Sequence, residues 1–308
     1  MATVLTTANN YEDIWTGRVE QQLRNTDYAP FFNGIPEINS NVISVGEGND
    51  LKQQIFLPAT EFMPTVLLNN TTYPLLVEDY NDKTIVIWLD KYQTLPTSVP
   101  DDFLLGLSYN VIDAVTGNHR HVINEDKYNR ALHSISPNGD SSSTPVLFTT
   151  GPDDGTGRKK LLLKDLVLLK KKLDLLHVPM VGRRLVLCPD HVADILEQNQ
   201  QFANQFYDYA AGKVSMPYGF EIYESVFTPF YDINTGTKLP FGAVPGTDDN
   251  QASVVFYDKN IGLKTGLTKM YHDPPNTTMQ TTMMNWRHYY VGVPKWDMYM
   301  GAIVSNNI

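Results

Sequence analysis

Charged side chains are scarce in this sequence, and their scarcity limits what its surface can be. They account for 19% of the 308 residues, whereas an ordinary soluble domain carries about 25%. The length allows about two domains of ~150 residues each. A long chain with so little polar coating is more typical of a protein covered by partner subunits than of a free monomer.

Cysteine is almost missing, since Cys188 is the single one. An intrachain disulfide and a metal site built from thiolates are therefore excluded, and a reducing compartment is expected. The first residues carry no basic segment and no long apolar run, so they do not resemble a secretory signal. No stretch reaches the ~18 consecutive apolar residues of a membrane span. We expect a protein made in the cytosol, with no membrane as partner.

Basic residues are outnumbered, 24 against 34 acidic residues, and the formal net charge is −10. A dedicated nucleic-acid-binding protein needs a basic patch or stripe, so the charge balance argues against that class. Passive contact with enclosed nucleic acid remains compatible with this charge.

Catalytic motifs are absent as well, because the sequence holds no GxSxG, HExxH or GxGxxG. The glycine-rich loop 151–160 precedes a helix, but Thr156 occupies the position of the second glycine of a phosphate-binding loop, and no hydroxyl residue follows its lysine. His119 and His121 point to different faces of a helix and have no third metal ligand nearby. We interpret the loop as a flexible segment with a basic helix start, and the two histidines as solvated helix surface.

The remaining candidates for chemistry also have plain structural interpretations. Cys188 lies between Leu187 and Pro189 in an apolar segment, which is typical of an inert core thiol. The adjacent carboxylates at 101–102, 153–154 and 248–249 fall in loops or helix caps, where such pairs are usually solvated. The sequence therefore predicts no catalytic residue, no cofactor and no metal site.

A polar leader and a series of extended segments make up the first third of the chain. Residues 1–50 contain one short helical candidate at 11–23, and we expect them to be disordered or to form an arm on a neighbour. Short β-type runs are predicted at 54–57, 65–68, 73–77 and 83–89. Polar turns separate these runs, which favours a projecting hairpin.

Helices are predicted from residue 98 onward. A first one is expected after 98–100, capped by Asp101 or Asp102. A second is expected at 118–134, with these buried positions: Val122, Ile123, Ala131 and Leu132. A loop rich in proline, glycine and serine follows at 136–143 and is the best candidate for a domain boundary.

The clearest helix carries an apolar stripe at helical spacing. Its members are Leu162, Leu166, Leu169, Leu173 and Leu176. A buried strand at 185–188 and a helix capped by Asp190 follow. Further strands are predicted at 220–223, 252–257, 289–293 and 301–304. Helices mixed with strands in this way indicate the α+β class.

The order of features between 161 and 225 is distinctive. The leucine-rich helix leads through Val178-Pro179 and Gly182-Arg183 into a short strand, and Pro189-Asp190 starts the next helix. Farther on, Gly219-Phe220-Glu221-Ile222 opens another strand. This order resembles the axial domain of the major capsid proteins of tailed double-stranded DNA bacteriophages, whose fold is shared with encapsulins. Weaker similarity extends over nearly the whole chain.

The resemblance implies an α+β fold, the tailed-phage major capsid fold. Its parts are an N-terminal arm, an extended β-hairpin loop, a peripheral domain with a long spine helix, and an axial domain with a central β-sheet flanked by helices. The expected bounds are 1–50 for the arm, 51–97 for the extended loop and its strand into the peripheral domain, 98–144 for the peripheral helices, 145–280 for the axial domain and 281–308 for closing strands. The short arm starting at Met1 shows no sign of a cleaved N-terminal scaffolding segment, which argues against a maturation protease.

The same resemblance implies a structural protein and not an enzyme. It would assemble with itself, as hexamers and pentamers, into an icosahedral head that touches packaged double-stranded DNA non-specifically. The expected location is the virion, and the host cytoplasm during assembly; portal, scaffolding or decoration proteins are further candidate partners. Alternatives are an encapsulin-type nanocompartment, a tail or portal component and, from another class, an α+β enzyme with an unrecognised active site.

The extended loop is where we predict contact between subunits. Its apolar runs flank a polar turn at 69–72, and a hairpin projecting from a monomer would leave them in water. Each side chain would then forgo roughly 1.5–3 kcal/mol of burial free energy. The predicted contact residues are Val66, Leu67, Leu68, Tyr73, Leu75 and Leu76. The alternative is that these side chains pack on their own domain as part of a sheet.

Overall fold

Two six-stranded β-sheets, a two-stranded β-sheet and three α-helices make up most of the described part of the chain. This computed structural model describes residues 29–46, 51–60, 64–75, 77–78, 82–100, 111–198, 207–208, 213–214, 217–275 and 280–307. No helix within those ranges is long and apolar enough to cross a bilayer.

Residues up to Gln198 contribute six strands and three helices. They are β1 (Ile43–Val45), β2 (Lys52–Thr60), β3 (Asp82–Gln93), β4 (Thr97–Pro100), α1 (Val111–Ile135), β5 (Val146–Phe148), α2 (Leu163–Leu175), β6 (Arg183–Leu187) and α3 (Pro189–Gln198). The second half contributes β7 (Tyr207–Asp208), β8 (Lys213–Val214), β9 (Glu221–Glu224), β10 (Phe230–Asp232), β11 (Asp249–Tyr257), β12 (Ile261–Asp273), β13 (Thr281–Pro294) and β14 (Met300–Val304).

The first sheet is antiparallel and has the order β1-β2-β3-β13-β12, with β4 also paired to β13. The second sheet is mixed and has the order β5-β14-β11-β6-β9, with β10 on β11. Its parallel pairs are β5 with β14 and β6 with β9. Strands distant in sequence are thus neighbours in both sheets.

Helix α1 crosses the first sheet over β13. The backbone of Gly292 lies so close to the helix that an added Cβ would sit 2.6 Å from the Cβ of Ala131. Ile123, Ala131 and Leu132 are buried as predicted, whereas Val122 is 51% exposed, so that part of the prediction is wrong. A 25-residue helix carries its apolar stripe on the sheet side only, and Val122 falls just outside it.

Helix α2 packs its leucine stripe on the second sheet, as its spacing predicted. Leu166, Leu169 and Leu173 are buried with strand residues such as Leu185 and Ile303. Burial of three leucines contributes on the order of 2 kcal/mol each. The central strands and this helix therefore share one self-contained core.

A further core joins both sheets and contains part of the predicted arm. Phe31 and Phe32 pack with Tyr128 of α1, Ile261 of β12 and Phe256 of β11. Arg184 also donates hydrogen bonds to the carbonyl oxygens of residues 31 and 33. Residues 29–38 thus belong to the body of the chain and are neither disordered nor laid on a neighbour. The helical candidate at 11–23 lies outside the described residues.

Several sequence-based predictions for the extended segments need correction. Residues 98–100 belong to strand β4, paired with β13, and the described parts of 65–68 and 73–77 are not strands. No segment in the described chain pairs with them. A strand needs a partner, so the β propensity of these residues does not produce strands here. Strand β12 was not predicted, because glycines and lysines interrupt its alternation. The five-part domain division stays a proposal; the β12–β13 hairpin spans its boundary at 280.

Candidate assembly surfaces

A two-stranded ribbon projects from the first sheet. Strands β2 and β3 pair in register from Gln53↔Leu89 to Thr60↔Asp82, whereas β3 pairs with β13 only over residues 90–93. The ribbon therefore continues past β13 for eight residue pairs, of which those nearest the body, such as Ile55↔Ile87, still pack against Tyr289 and Val291 of β13. Its far end carries the loop in which contact between subunits is predicted.

The apolar side chains of that loop lie in solvent. Val66 and Leu68 are 87% exposed, Leu67 is 58%, Tyr73 is 75% and Leu75 is 53% exposed. Leu76 lies outside the described residues. The alternative in which these residues pack on their own domain does not hold for the five described ones. We call residues 64–78 the loop tip.

Both faces of the ribbon are also apolar and partly exposed. On one face, exposure rises with distance from the body, from buried Leu89 to half-exposed Ile85. The opposite face carries Val86 and Trp88, each nearly half exposed, since successive strand residues point to opposite sides. An exposed apolar surface of this extent is unusual for a free monomer and typical of an interaction site.

Local hydrogen bonds hold the loop tip in shape. Asn70 accepts a bond from the backbone N–H of Thr72 at 3.0 Å and donates one to its carbonyl at 2.8 Å. The backbone N–H of Thr65 donates to the carboxylate of Glu78 at 3.1 Å, and hydrogen bonding with Thr65 lowers the pKa of Glu78. The tip is therefore partly pre-organised, which reduces the entropy lost on docking.

The two histidines considered as metal ligands are far from equivalent. His121 is exposed beside Glu125, as predicted. His119 instead lies half-buried, with its Nε2 2.9 Å from the Thr97 hydroxyl and its ring 4.7 Å from that of Trp286. Burial lowers the pKa of His119. Among the described residues, no group of three or more candidate ligands could hold a metal ion.

Cys188 is buried and belongs to a polar cluster that the sequence did not reveal. Its backbone N–H donates to Ser253 Oγ at 3.1 Å, and burial raises the pKa of its thiol to about 11. His191 lies between Ser253 Oγ at 2.6 Å and Ser305 Oγ at 2.9 Å. Burial lowers the pKa of His191 to about 3. A serine beside a histidine can be a nucleophile, but these side chains are closed to solvent, so the cluster is structural.

The glycine-rich loop 151–160 is tied to helix α3. Arg158 donates two bonds of 2.8 Å to the carboxylate of Asp194 and one of 2.9 Å to Asp154. Asp194 also accepts the backbone N–H of Leu161 at 2.8 Å. Hydrogen bonds from Thr156, with Arg158 nearby, lower the pKa of Asp154 to about 2. The loop is therefore a structural brace, so the prediction of a flexible segment is wrong, and its arginine is engaged by carboxylates of this chain.

The carboxylate pairs serve the backbone where they can be observed. Asp153 accepts N–H groups from Gly155 and Gly157, and Asp249 accepts that of Gly246. Residues 101–102 lie outside the described residues. The prediction of solvated loop carboxylates is therefore wrong for Asp249, which begins strand β11, and for Asp154, which is ion-paired with Arg158 and only 16% exposed.

A polar layer between α1 and β13 was not predicted. It consists of Asn124 and Lys127 on the helix and His288 and Tyr290 on the strand, all buried. Neither amide atom of Asn124, the Nε2 of His288 nor the hydroxyl of Tyr290 has a hydrogen-bond partner within the described structure. Each such group costs about 1–3 kcal/mol. Burial lowers the pKa of Lys127 to about 7. The free energy that holds α1 against β13 therefore comes from the apolar contacts on either side of this polar layer.

Comparisons with known proteins place the fold. No protein-family model matches this sequence, and no curated protein is similar to it. Among solved structures, the capsid of the cyanophage P-SCSP1u is 16% identical, with a TM-score of 0.57, covering 89% of this chain and 90% of that one. The mature capsid of bacteriophage PhiM1 is 14% identical, with a TM-score of 0.56, covering 82% and 81%.

A virus-like particle from Pyrococcus furiosus is also similar, with 10% identity, a TM-score of 0.54 and coverage of 95% of this chain and 99% of that one. The chain therefore has the fold of tailed-phage major capsid proteins. The resemblance seen in the sequence is confirmed at the level of the fold.

Proposed function

We propose that this chain is the major capsid protein of a tailed bacteriophage. Many copies would assemble, as hexamers and pentamers, into a closed icosahedral head around double-stranded DNA. The observation that carries the proposal is the ribbon, which leads from a body with a capsid fold to an exposed apolar loop tip. The virion would be its final location and the host cytoplasm the place of its assembly.

The energetics of the loop tip support assembly. Six exposed apolar side chains are described there: Val66, Leu67, Leu68, Tyr73, Leu75 and Val77. Covering each with a neighbour recovers roughly 1.5–3 kcal/mol. Because the tip and any surface that receives it differ, the contact is heterologous, and a heterologous contact repeated about an axis closes a ring. Obligate interfaces of this kind commonly exceed ~2,000 Å².

The net charge of the chain fits a shell that encloses DNA better than it fits a sequence-specific DNA-binding protein. With a net charge of −10, contact with DNA would be non-specific and would involve local basic patches only. Portal, scaffolding or decoration proteins are compatible partners of such a head.

An encapsulin-type nanocompartment is the second candidate, favoured by the similarity to the Pyrococcus furiosus particle. The two candidates differ in content, so nucleic acid inside purified particles supports the phage head and protein cargo supports the nanocompartment. An enzyme has less support, since the polar clusters found in the described residues are buried or bind the chain's own backbone and side chains.

Replacing residues 64–78 with a short Gly/Ser linker tests the proposal. We expect a folded protein by circular dichroism that forms no shells by electron microscopy, because the leucine core of α2 does not involve the loop tip. Normal shells from this variant would contradict the role of the tip, and outright unfolding would place the tip in the core.

A milder pair of variants separates apolar contact from loop shape. Leu67→Ser combined with Leu68→Ser removes two exposed leucines and should abolish or strongly weaken assembly without lowering subunit stability. Thr71→Ser in the same loop is the matched control and should assemble normally.

A further inference from the structure

A short apolar groove lies between helix α1 and the segment that surrounds β10. Phe227, Leu239, Pro240 and Phe241 line it on one side, and His133 of the helix lines it on the other. Its volume of about 250 Å³ is below the ~300–1,000 Å³ of typical small-molecule sites. The groove therefore has room for one or two side chains of a protein partner.

Hydrogen bonds fix the walls of the groove. The Nε2 of His133 lies 2.8 Å from the carbonyl oxygen of Leu239, and the ring of Phe241 packs edge-on against His133. Lys238 turns its ammonium group to the carbonyl oxygens of His133 and Ser136, both at 2.7 Å. The segment is thus held to the end of α1, so the groove is preformed.

The groove is open, since Phe227 and Phe241 are each nearly half exposed at its mouth. Arg130 stands at the rim, 5.7 Å from the ring of Phe241, and is already paired with Asp90 at 2.8 Å. Exposed aromatic rings around a small apolar depression with a polar rim have the composition of an interface hot spot.

Charge distinguishes this groove from the other described grooves. Lys91 and Asp126 line the one beside the start of α1, Glu224 the one on α3, and Lys269 and Asp273 the one on β12. None of the residues lining the groove at Phe241 is formally charged, because burial lowers the pKa of His133 and keeps it neutral at pH 7.

The chain itself carries an apolar segment that is uncharged, like the lining of the groove. No charged residue occurs between Glu61 and Glu78, a span that includes the loop tip. An uncharged apolar segment docked over Lys91 or Glu224 would strip water from a charge without pairing it, which is costly. Docked over Phe241 it covers no formal charge of the groove lining, and Arg130 at the rim keeps its ion pair with Asp90.

We propose that the groove receives the loop tip of a second copy of this chain. The tip does not occupy the groove of its own copy, since Leu67 and Leu68 are 58% and 87% exposed. One or two of its apolar side chains fill the depression between His133 and Phe241, and the rest lie across the exposed rings. This inference rests on the proposed function and names the surface that the tip contacts.

Cysteine pairing between two differently marked copies tests the contact. Subunits with Leu68→Cys are mixed with subunits with Ala243→Cys, assembled, checked for shells by electron microscopy and oxidised. Both sites are exposed, so the substitutions should not impair folding, and buried Cys188 should not react. The matched control mixes Leu68→Cys with Val181→Cys, which is equally exposed in the turn after α2.

We expect several-fold more disulfide-linked dimer from the 68–243 mixture than from the 68–181 control on a non-reducing gel. Shells that form normally but show no excess of the 68–243 dimer would overturn the docking and leave the proposed function intact. Failure of the unsubstituted protein to form shells would overturn the proposed function and the docking with it. If the first pair does not assemble, Val66→Cys with Val226→Cys probes the same contact with the same expected excess.

Discussion

The brace between Arg158 and Asp194 should be a main source of stability for the second sheet and its helices. Two bonds of 2.8 Å join the guanidinium to the carboxylate, and the side chain of Asp194 is only 3% exposed. Replacing Arg158 with methionine keeps much of the volume and removes the charge. Asp194 would then retain the backbone N–H of Leu161 but no cation.

The expected magnitude follows from burial. Removing one partner of a buried ion pair typically costs about 3–5 kcal/mol, because the other charge stays buried without compensation. We expect Arg158→Met to lower the free energy of unfolding by about that amount. Urea unfolding of unassembled subunits, followed by tryptophan fluorescence, measures it. Arg158→Met combined with Asp194→Asn should cost less than the sum of the single changes, by about 1–3 kcal/mol.

A neighbouring ion pair supplies the control. Lys160 binds Glu197 at 2.7 Å, and Glu197 lies on α3 like Asp194, but the side chain of Glu197 is 67% exposed. Lys160→Met should shift the unfolding midpoint far less than Arg158→Met, since exposed pairs contribute little. A loss below ~1 kcal/mol for Arg158→Met, or additive effects in the double variant, would refute the reasoning.

Three other predictions follow from the buried residues. His191 and His288 have pKa values lowered by burial to about 3. The contribution of these two histidines to stability should therefore be constant above their ordinary pKa of ~6.5 and should fall below it, because the unfolded chain alone takes up protons, by up to about 1.4 kcal/mol per pH unit for each histidine. Unchanged urea midpoints between pH 7 and pH 5 would contradict this. Leu169→Ala should lower the free energy of unfolding by about 2–5 kcal/mol, since Leu169 is fully buried against the second sheet, and a loss near zero in the same assay would show that α2 is loosely packed. EDTA and dithiothreitol should leave shells intact at neutral pH, because Cys188 is buried and the described residues hold no candidate metal group; light scattering that reports dissolved particles would reveal a calcium site or an intermolecular disulfide.

Local patterns predicted those elements whose burial is one-sided and regular. The leucines of α2 recur at helical spacing, and the structure buries Leu166, Leu169 and Leu173 as expected. Strands β6, β11 and β14 were predicted within a few residues because their apolar runs are short and continuous. The apolar character of the loop tip was visible in the same way, and the polar turn at 69–72 between its apolar runs indicated a projecting hairpin.

Elements that depend on distant partners were predicted poorly. Strand β13 runs from Thr281 to Pro294, but only 289–293 looked like a strand, since Trp286 and His288 face α1 in a setting that sequence alone does not reveal. Helix α1 already includes Val111, ahead of the predicted start at 118, although β-branched residues and Gly117 weaken its local preference. Packing on β13 outweighs that preference.

The sequence by itself determined the class of the fold, the leucine core of α2, the buried thiol at Cys188 and the apolar loop tip, because each depends on residues close together in the chain. Only the tertiary structure decided that residues 29–38 join the body, that Lys127 lies in a polar layer, and that Arg158 reaches Asp194. It also brought His133 beside Phe241 to form the groove. These features join segments separated by tens to hundreds of residues, and local propensity carries no information about which distant segments meet.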